Sequence, residues 1–223
     1  MLDSIITCDR QRRPATPSNH PPSIIQRKNM ADLTSDEKYA LYDLPTPKRY
    51  ITTHTKDGKS VFYDDISEEV PRQPITRAVD FYLMYTTSNF PVELGNNDDI
   101  DKYRTFLEET KPGLINHGGS VVRICDFKPV GDAEARPMHR TLSIDYGIVT
   151  AGKMEAWLDS GEKKSLNVGD IVVQRETNHA WKNPSKDKWA RMVFILQEAQ
   201  PLKIGNEQLK EEYGDIPGVA AST

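Results

Sequence analysis

Between Ser120 and Gln197 short apolar or alternating runs are cut at regular intervals by turn residues: Gly131, Gly152, Asp159-Ser160-Gly161, Gly169 and Asn183-Pro184. Runs this short and evenly spaced predict consecutive antiparallel strands rather than βαβ units. The run SVVRICDFK is read as the first of these strands and ARMVFILQ as the last. The expected fold class is therefore all-β, an antiparallel jelly-roll barrel with a few peripheral helices.

Two of the runs carry more than scaffold. In an extended segment side chains alternate between faces, so His139, Thr141, Ser143 and Asp145 share one face while Arg140, Leu142, Ile144 and Tyr146 share the other. Further on, past the Gly169-Asp170 turn and the apolar Ile171, Val172 and Val173, His179, Trp181 and Asn183 fall on one face. Two imidazoles and a carboxylate are thereby expected to converge on one point.

The segments outside the barrel read differently. Residues 1–30 are rich in Pro, Ser, Arg and Asn, lack apolar periodicity and predict a flexible leader. Met30 opens a helix signal, with Thr34 capping and Glu37 three residues on, and is a candidate alternative start. Residues 31–118 are read as a helix and extra strands that pack on the barrel or form a dimer interface. Within them RYITTHTKDGKSVFYDD predicts a hairpin about Asp57-Gly58, ITRAVDFYLMYTTSNFPVEL a strand pair or dimer arm, and DDIDKYRTFLEET a short helix through Ile100, Tyr103 and Phe106. Residues 119–203 form the barrel core. In 204–223, Leu209 and Tyr213 stand four apart and predict a C-terminal helix followed by a tail.

Composition narrows the function. The 223 residues suit one domain with attachments, and a net charge of -4, without a long Lys/Arg run, argues against a nucleic-acid surface. Cys8 and Cys125 are the only cysteines and lie far apart, which indicates neither a disulfide framework nor a cysteine metal knot. No apolar stretch approaches the ~20 residues of a membrane span, and a hydrophobic signal core is missing. The expectation is a cytoplasmic protein with a small-molecule substrate.

The two histidine-bearing runs resemble the motifs of the cupin superfamily, G-x5-H-x-H-x3-E-x6-G and G-x5-P-x-G-x2-H-x3-N. His139 matches the first histidine, Thr141 stands at the second, Asp145 at the glutamate, and Gly152 closes the first motif. Gly169 opens the second, His179 follows one residue early, and Asn183 keeps its distance of four, with Arg175 at the proline position and Glu176 where glycine is commoner. The resemblance runs from about Ser120 to Pro201, and the phrases MHRTLSIDYGIV and GDIVVQ-x3-NHAW look most like single-domain fungal cupins of secondary-metabolite pathways. It implies a cupin-type jelly roll and a homodimer.

For the site, the resemblance implies a divalent metal (Zn, Fe, Mn or Ni) on His139, Asp145 and His179, with Thr141 as the altered ligand position and no organic cofactor. Such a centre would stabilise the enolate formed when a proton or CO2 leaves a carbonyl- or carboxyl-bearing substrate, with a polyketide-derived one as a candidate: a lyase (decarboxylase or dehydratase) or an isomerase. With iron it would support oxygenation. Two alternatives stay open at this point: acid/base chemistry without metal, with Thr141 and Ser143 donating to substrate oxygen, and a non-catalytic ligand-binding barrel. Trp181 is expected to wall the pocket and Arg175 to rim its mouth. Alternation leaves the faces of Arg123 and Arg191 open, and His54 and His117 are expected on loops or surface.

Overall fold

A computed structural model describes residues 43–76, 78–108, 113–131 and 137–213. The expected leader and the helix at Thr34 lie outside the described residues. Thirteen strands appear among the latter: β1 (Thr52–His54), β2 (Ser60–Phe62), β3 (Gln73–Thr76), β4 (Val79–Thr87), β5 (Ser120–Phe127), β6 (Ser143–Ala151), β7 (Met154–Leu158), β8 (Lys163–Leu166), β9 (Ile171–Arg175), β10 (His179–Lys182), β11 (Ala190–Glu198), β12 (Lys203–Ile204) and β13 (Glu207–Gln208). One α-helix, α1 (Asp98–Glu108), lies between β4 and β5.

All pairings among these strands are antiparallel. A six-stranded sheet runs β3-β4-β5-β11-β6-β9, and a three-stranded sheet runs β10-β7-β8. The first and last strands of the predicted barrel, β5 and β11, lie side by side with Arg123 opposite Phe194. The expected hairpin forms as β1 and β2 in a two-stranded sheet of its own, with Gly58 at positive φ in its turn. The strand pair forms as β3 and β4 and extends the barrel's own large sheet.

Alternation along each strand decides what enters the core. On β5, Val121, Arg123 and Cys125 turn inward; on β11, Met192, Phe194 and Leu196 do the same, and their side chains pack with Trp181 of β10 between the two sheets. Helix α1 buries Ile100 and Tyr103, and the Tyr103 hydroxyl donates to the carbonyl of Leu83 at 2.8 Å, tying the helix to β4. Because a buried hydroxyl without a partner costs free energy, this bond fixes the helix's rotation as well as its position.

The tail departs from expectation. Residues 203–208 form a hairpin rather than a helix, with Gly205 at φ +61° in its turn. Further on, Arg140 and Glu212 exchange backbone hydrogen bonds of 2.6 and 3.0 Å. An i,i+4 pair such as Leu209 and Tyr213 carries only a few tenths of a kcal/mol on its own, whereas two backbone bonds to a preformed extended segment hold the chain straight.

One connection admits only glycine. A Cβ on Gly119, where the chain enters β5, would lie 1.8 Å from the carbonyl oxygen of Thr87, a backbone atom that cannot swing aside. Gly119→Ala is therefore expected to destabilise the fold by about 2–4 kcal/mol. Gly161→Ala, whose Cβ would meet nothing but whose φ is +88°, is expected to cost about 1 kcal/mol. Urea midpoints of the two variants check the order.

Candidate active site

The two sheets enclose a cavity of about 260 Å3. Its walls are mainly apolar: Ile75, Val79, Phe81, Leu114, Cys125, Phe127, Trp181, Phe194 and Leu196. Against them stand a few polar side chains, His139, Thr141, Asp145, Gln174, His179 and Arg123. A concave apolar chamber with a small convergent polar set is the usual form of a small-molecule site.

The histidines are brought together by the backbone. His139 and His179 face each other as an antiparallel pair, each N–H donating to the other's carbonyl at 2.9 Å. Their rings follow, with centroids 4.2 Å apart and planes inclined at 55°. The Nδ1 of His179 lies 2.8 Å from the carbonyl of Thr177, and that of His139 lies 3.2 Å from the carbonyl of Pro137. A carbonyl can only accept, so in each neutral ring the proton is assigned to Nδ1 and Nε2 is the basic nitrogen. Trp181 packs edge-on against His179, centroids 5.7 Å apart, and against Phe194, which closes the apolar wall.

Asp145 spends its carboxylate locally. Oδ1 accepts from Ser143 Oγ at 2.6 Å and Oδ2 from Thr141 Oγ1 at 3.3 Å, while the two hydroxyls lie 2.7 Å apart. Thr141 and Asp145 reach the cavity; Ser143 is buried behind them as their hydrogen-bond partner and does not line it. Among the described residues, no three His, Cys, Asp or Glu side chains are grouped so as to hold a metal ion. The donor set expected from His139, Asp145 and His179 is not assembled: two imidazoles touch each other, and the carboxylate is engaged by hydroxyls. The residues present do not fit a three-ligand metal centre, and no chemical step is routed through one below.

Arg175 is also placed differently from expectation. It is solvent-exposed at the end of β9 and lines no part of the cavity, while Gln174, one residue earlier, is buried and does. The side-chain period of a strand is two, so neighbours cannot share a face. Glu176 adopts φ +51° and accepts from the Leu202 N–H at 2.7 Å, a clamp on the turn before His179. Asn183 donates to the carbonyls of Phe127 and Lys188 and is structural. Arg191 is held by Asp126 through bonds of 2.6 and 2.7 Å and lies outside the cavity, whereas Arg123 lines it. His117 pairs with Glu198 away from the cavity, and His54 lies on β1.

Burial sets the site's protonation. Desolvation, then the neighbouring His139, pushes His179 from its ordinary 6.5 down to about 3, and desolvation lowers His139 as well. Desolvation raises Asp145 from 3.8 to about 6 against the opposing pull of Ser143 and Thr141. Both imidazoles are consequently neutral at neutral pH, and Asp145 titrates close to it.

These shifts oppose each other in stability. Below pH 6.5 an unfolded chain protonates His179 but the folded one does not, so this group's contribution is lost as pH falls toward 3. Asp145 takes its proton at about 6 folded and 3.8 unfolded, so its effect on stability improves as pH falls through that window. His179→Gln is expected to flatten the loss of stability on acidification, and Asp145→Asn to steepen it. Urea midpoints between about pH 7 and 4.5 test the pair of slopes.

No protein-family model matches the chain. Among named relatives, the phomopsin biosynthesis cluster protein D of Diaporthe leptostromiformis is 47% identical over 167 residues, covering 75% of this chain and 86% of the relative. The cupin-domain-containing oxidoreductase fogC of Aspergillus ruber is 34% identical over 183 residues, covering 81% and 86%. A solved RmlC-like cupin from Shewanella frigidimarina aligns with 61% of this chain and 90% of its own at a TM-score of 0.38 and 13% identity. With two histidine-bearing segments paired backbone to backbone at the cavity of an antiparallel β fold and relatives of this identity and coverage, the chain belongs to the cupin-domain proteins of fungi, a family represented in biosynthesis clusters.

Proposed function

We propose that this protein is a small-molecule enzyme that moves a proton at a carbon beside a carbonyl or carboxyl group, as an isomerase or as a lyase of the dehydratase or decarboxylase type. The observation that carries this reading is the pair of neutral imidazoles in contact, each with Nδ1–H engaged by a backbone carbonyl and Nε2 as its base. His139 is the stronger base of the two, because it is only partly buried while His179 is fully so. It takes the substrate proton. The oxygen that gains charge receives a hydrogen bond from Thr141 or the proton of Asp145, whose affinity near neutral pH suits an acid of this kind. The neutral His179 accepts from a substrate hydroxyl and Trp181 supports the hydrocarbon part.

A second reading has a specific support: relatives such as fogC and srdD are named oxidoreductases. For this chain that activity would need an external electron acceptor such as O2, and the two readings differ in what they consume.

Phenylpyruvate in D2O is a suitable probe, since proton removal beside its carbonyl appears as loss of the benzylic proton signal by NMR. Wild-type enzyme is expected to accelerate exchange, with a loss of about 10²-fold in His139→Gln and no effect of EDTA. The rate is expected to fall as pH rises past about 6, where free Asp145 ionises, and Asp145→Asn is expected to remove that limb. Exchange unaffected by either substitution would overturn the proposal. Probe loss coupled to O2 uptake at an oxygen electrode would favour the oxidoreductase.

A further inference from the structure

Two buried polar side chains in the cavity take no part in the proton transfer: Arg123, which has no carboxylate partner among the described residues, and Gln174, whose amide has no hydrogen-bond partner. Arg123 projects inward from β5 and is 5% exposed. Its Nη2 donates to the carbonyl of Gly113 at 3.1 Å and its guanidinium lies 4.8 Å from the centroid of the Phe81 ring. Among the described residues no Asp or Glu pairs with it, in contrast to Arg191, whose charge Asp126 matches in full. A guanidinium stays charged and offers five N–H donors in one plane, so most of this fork is open toward an apolar chamber. Gln174 is 3% exposed, and neither its Nε2 nor its Oε1 has a hydrogen-bond partner. An orphaned amide such as that of Gln174, beside a guanidinium with no carboxylate of its own, points to a ligand that completes both, because leaving buried polar groups unpaired is costly.

We propose that the cavity takes a small carboxylic acid with an apolar body: Arg123 receives the carboxylate through its planar fork, and Gln174 receives a second group that both donates and accepts, such as an amide or a hydroxyl beside a carbonyl. This rests on reading the cavity as the substrate site. The spacing agrees with it. Across the large sheet, Arg123 faces Phe194, which faces Gly147 and then Val172; Gln174 is the next inward residue after Val172 on β9. Three strand spacings separate β5 from β9, at most about 14 Å before the barrel curves. Asp145 stands opposite Gln174, so the acid's far end lies beside the proton-transfer group while its carboxylate is held at the other wall. Phe81, Phe127 and Phe194 line the same cavity and supply apolar surface for the acid's body. The bound anion also supplies the countercharge that Arg123 lacks, which makes the site selective for acids over neutral analogues of equal shape.

The test uses the full chain and three acids, trans-cinnamate, indole acetate and isocaproate, each paired with its primary amide, with binding read by calorimetry. At least one acid is expected to bind about 10-fold or more tightly than its amide, and Arg123→Gln is expected to abolish that preference while leaving amide affinity in place. Acids that bind no better than their amides, or a preference that survives in Arg123→Gln, would refute the proposal. If Arg123→Gln fails to fold by circular dichroism, Arg123→Lys decides: it keeps the charge but loses the fork, and an unchanged preference overturns the assignment. An Arg123-dependent preference in a protein that exchanges no protons from phenylpyruvate would remove the proton-transfer reading and leave the acid site standing.

Discussion

The site depends on two backbone hydrogen bonds, each 2.9 Å long, that His139 and His179 exchange across an antiparallel pair. They join the segment leading into β6 to the start of β10, and so connect the large sheet to the small one at the cavity wall. Side chains of directly opposed residues lie on the same face, so this register alone brings the rings to a centroid distance of 4.2 Å. The next residue, Arg140, makes the same kind of exchange with Glu212. The histidine-bearing segment is therefore held by β10 at one residue and by the tail at the next. A slip of one position by either segment would turn its imidazole away from the cavity.

Desolvation then determines the chemistry. The same apolar walls that lower His179 to about 3 raise Asp145 to about 6, because burial penalises whichever form carries charge. Burial thus favours the uncharged form of both the acid and the bases, without any ion pair between them. Cys125, facing the same interior, has its thiol pushed up by burial and is inert as a nucleophile at neutral pH. Arg123 cannot shed its charge and is the one Lys or Arg among the described residues that line the cavity. Other buried charges illustrate the ordinary arrangement: Asp80 is matched by Arg72 at 2.7 Å and Asp126 by Arg191. The cavity departs from that rule where its ligand is expected to complete it.

The run of antiparallel strands and its turn positions were legible from the pattern, and so was the shared face of His139, Thr141 and Asp145, because a strand's two faces are fixed by its period of two. Gln174 was hidden because Ile171, Val172 and Val173 are all apolar, so parity in β9 left no trace until burial distinguished the faces. Arg123 was hidden for a related reason: Val121 and Val122 on one side and Ile124 and Cys125 on the other make both faces of β5 look apolar. The tail's helical spacing was misleading because Arg140, some seventy residues earlier, offered the backbone of Glu212 a stronger partner.

By itself the sequence determined what is local: the antiparallel strands, the Asp57-Gly58 turn, the short helix at Asp98–Glu108 and the shared face of each histidine run. Only the tertiary structure decided whether the histidines and Asp145 form one donor set, because that depends on distances between strands far apart in the chain. It gave Asp145 to Thr141 and Ser143, paired the two imidazoles with each other, and left Arg123 and Gln174 facing an apolar interior. Periodicity specifies which face a residue occupies; only packing specifies which neighbours it meets there, and the neighbours set its charge.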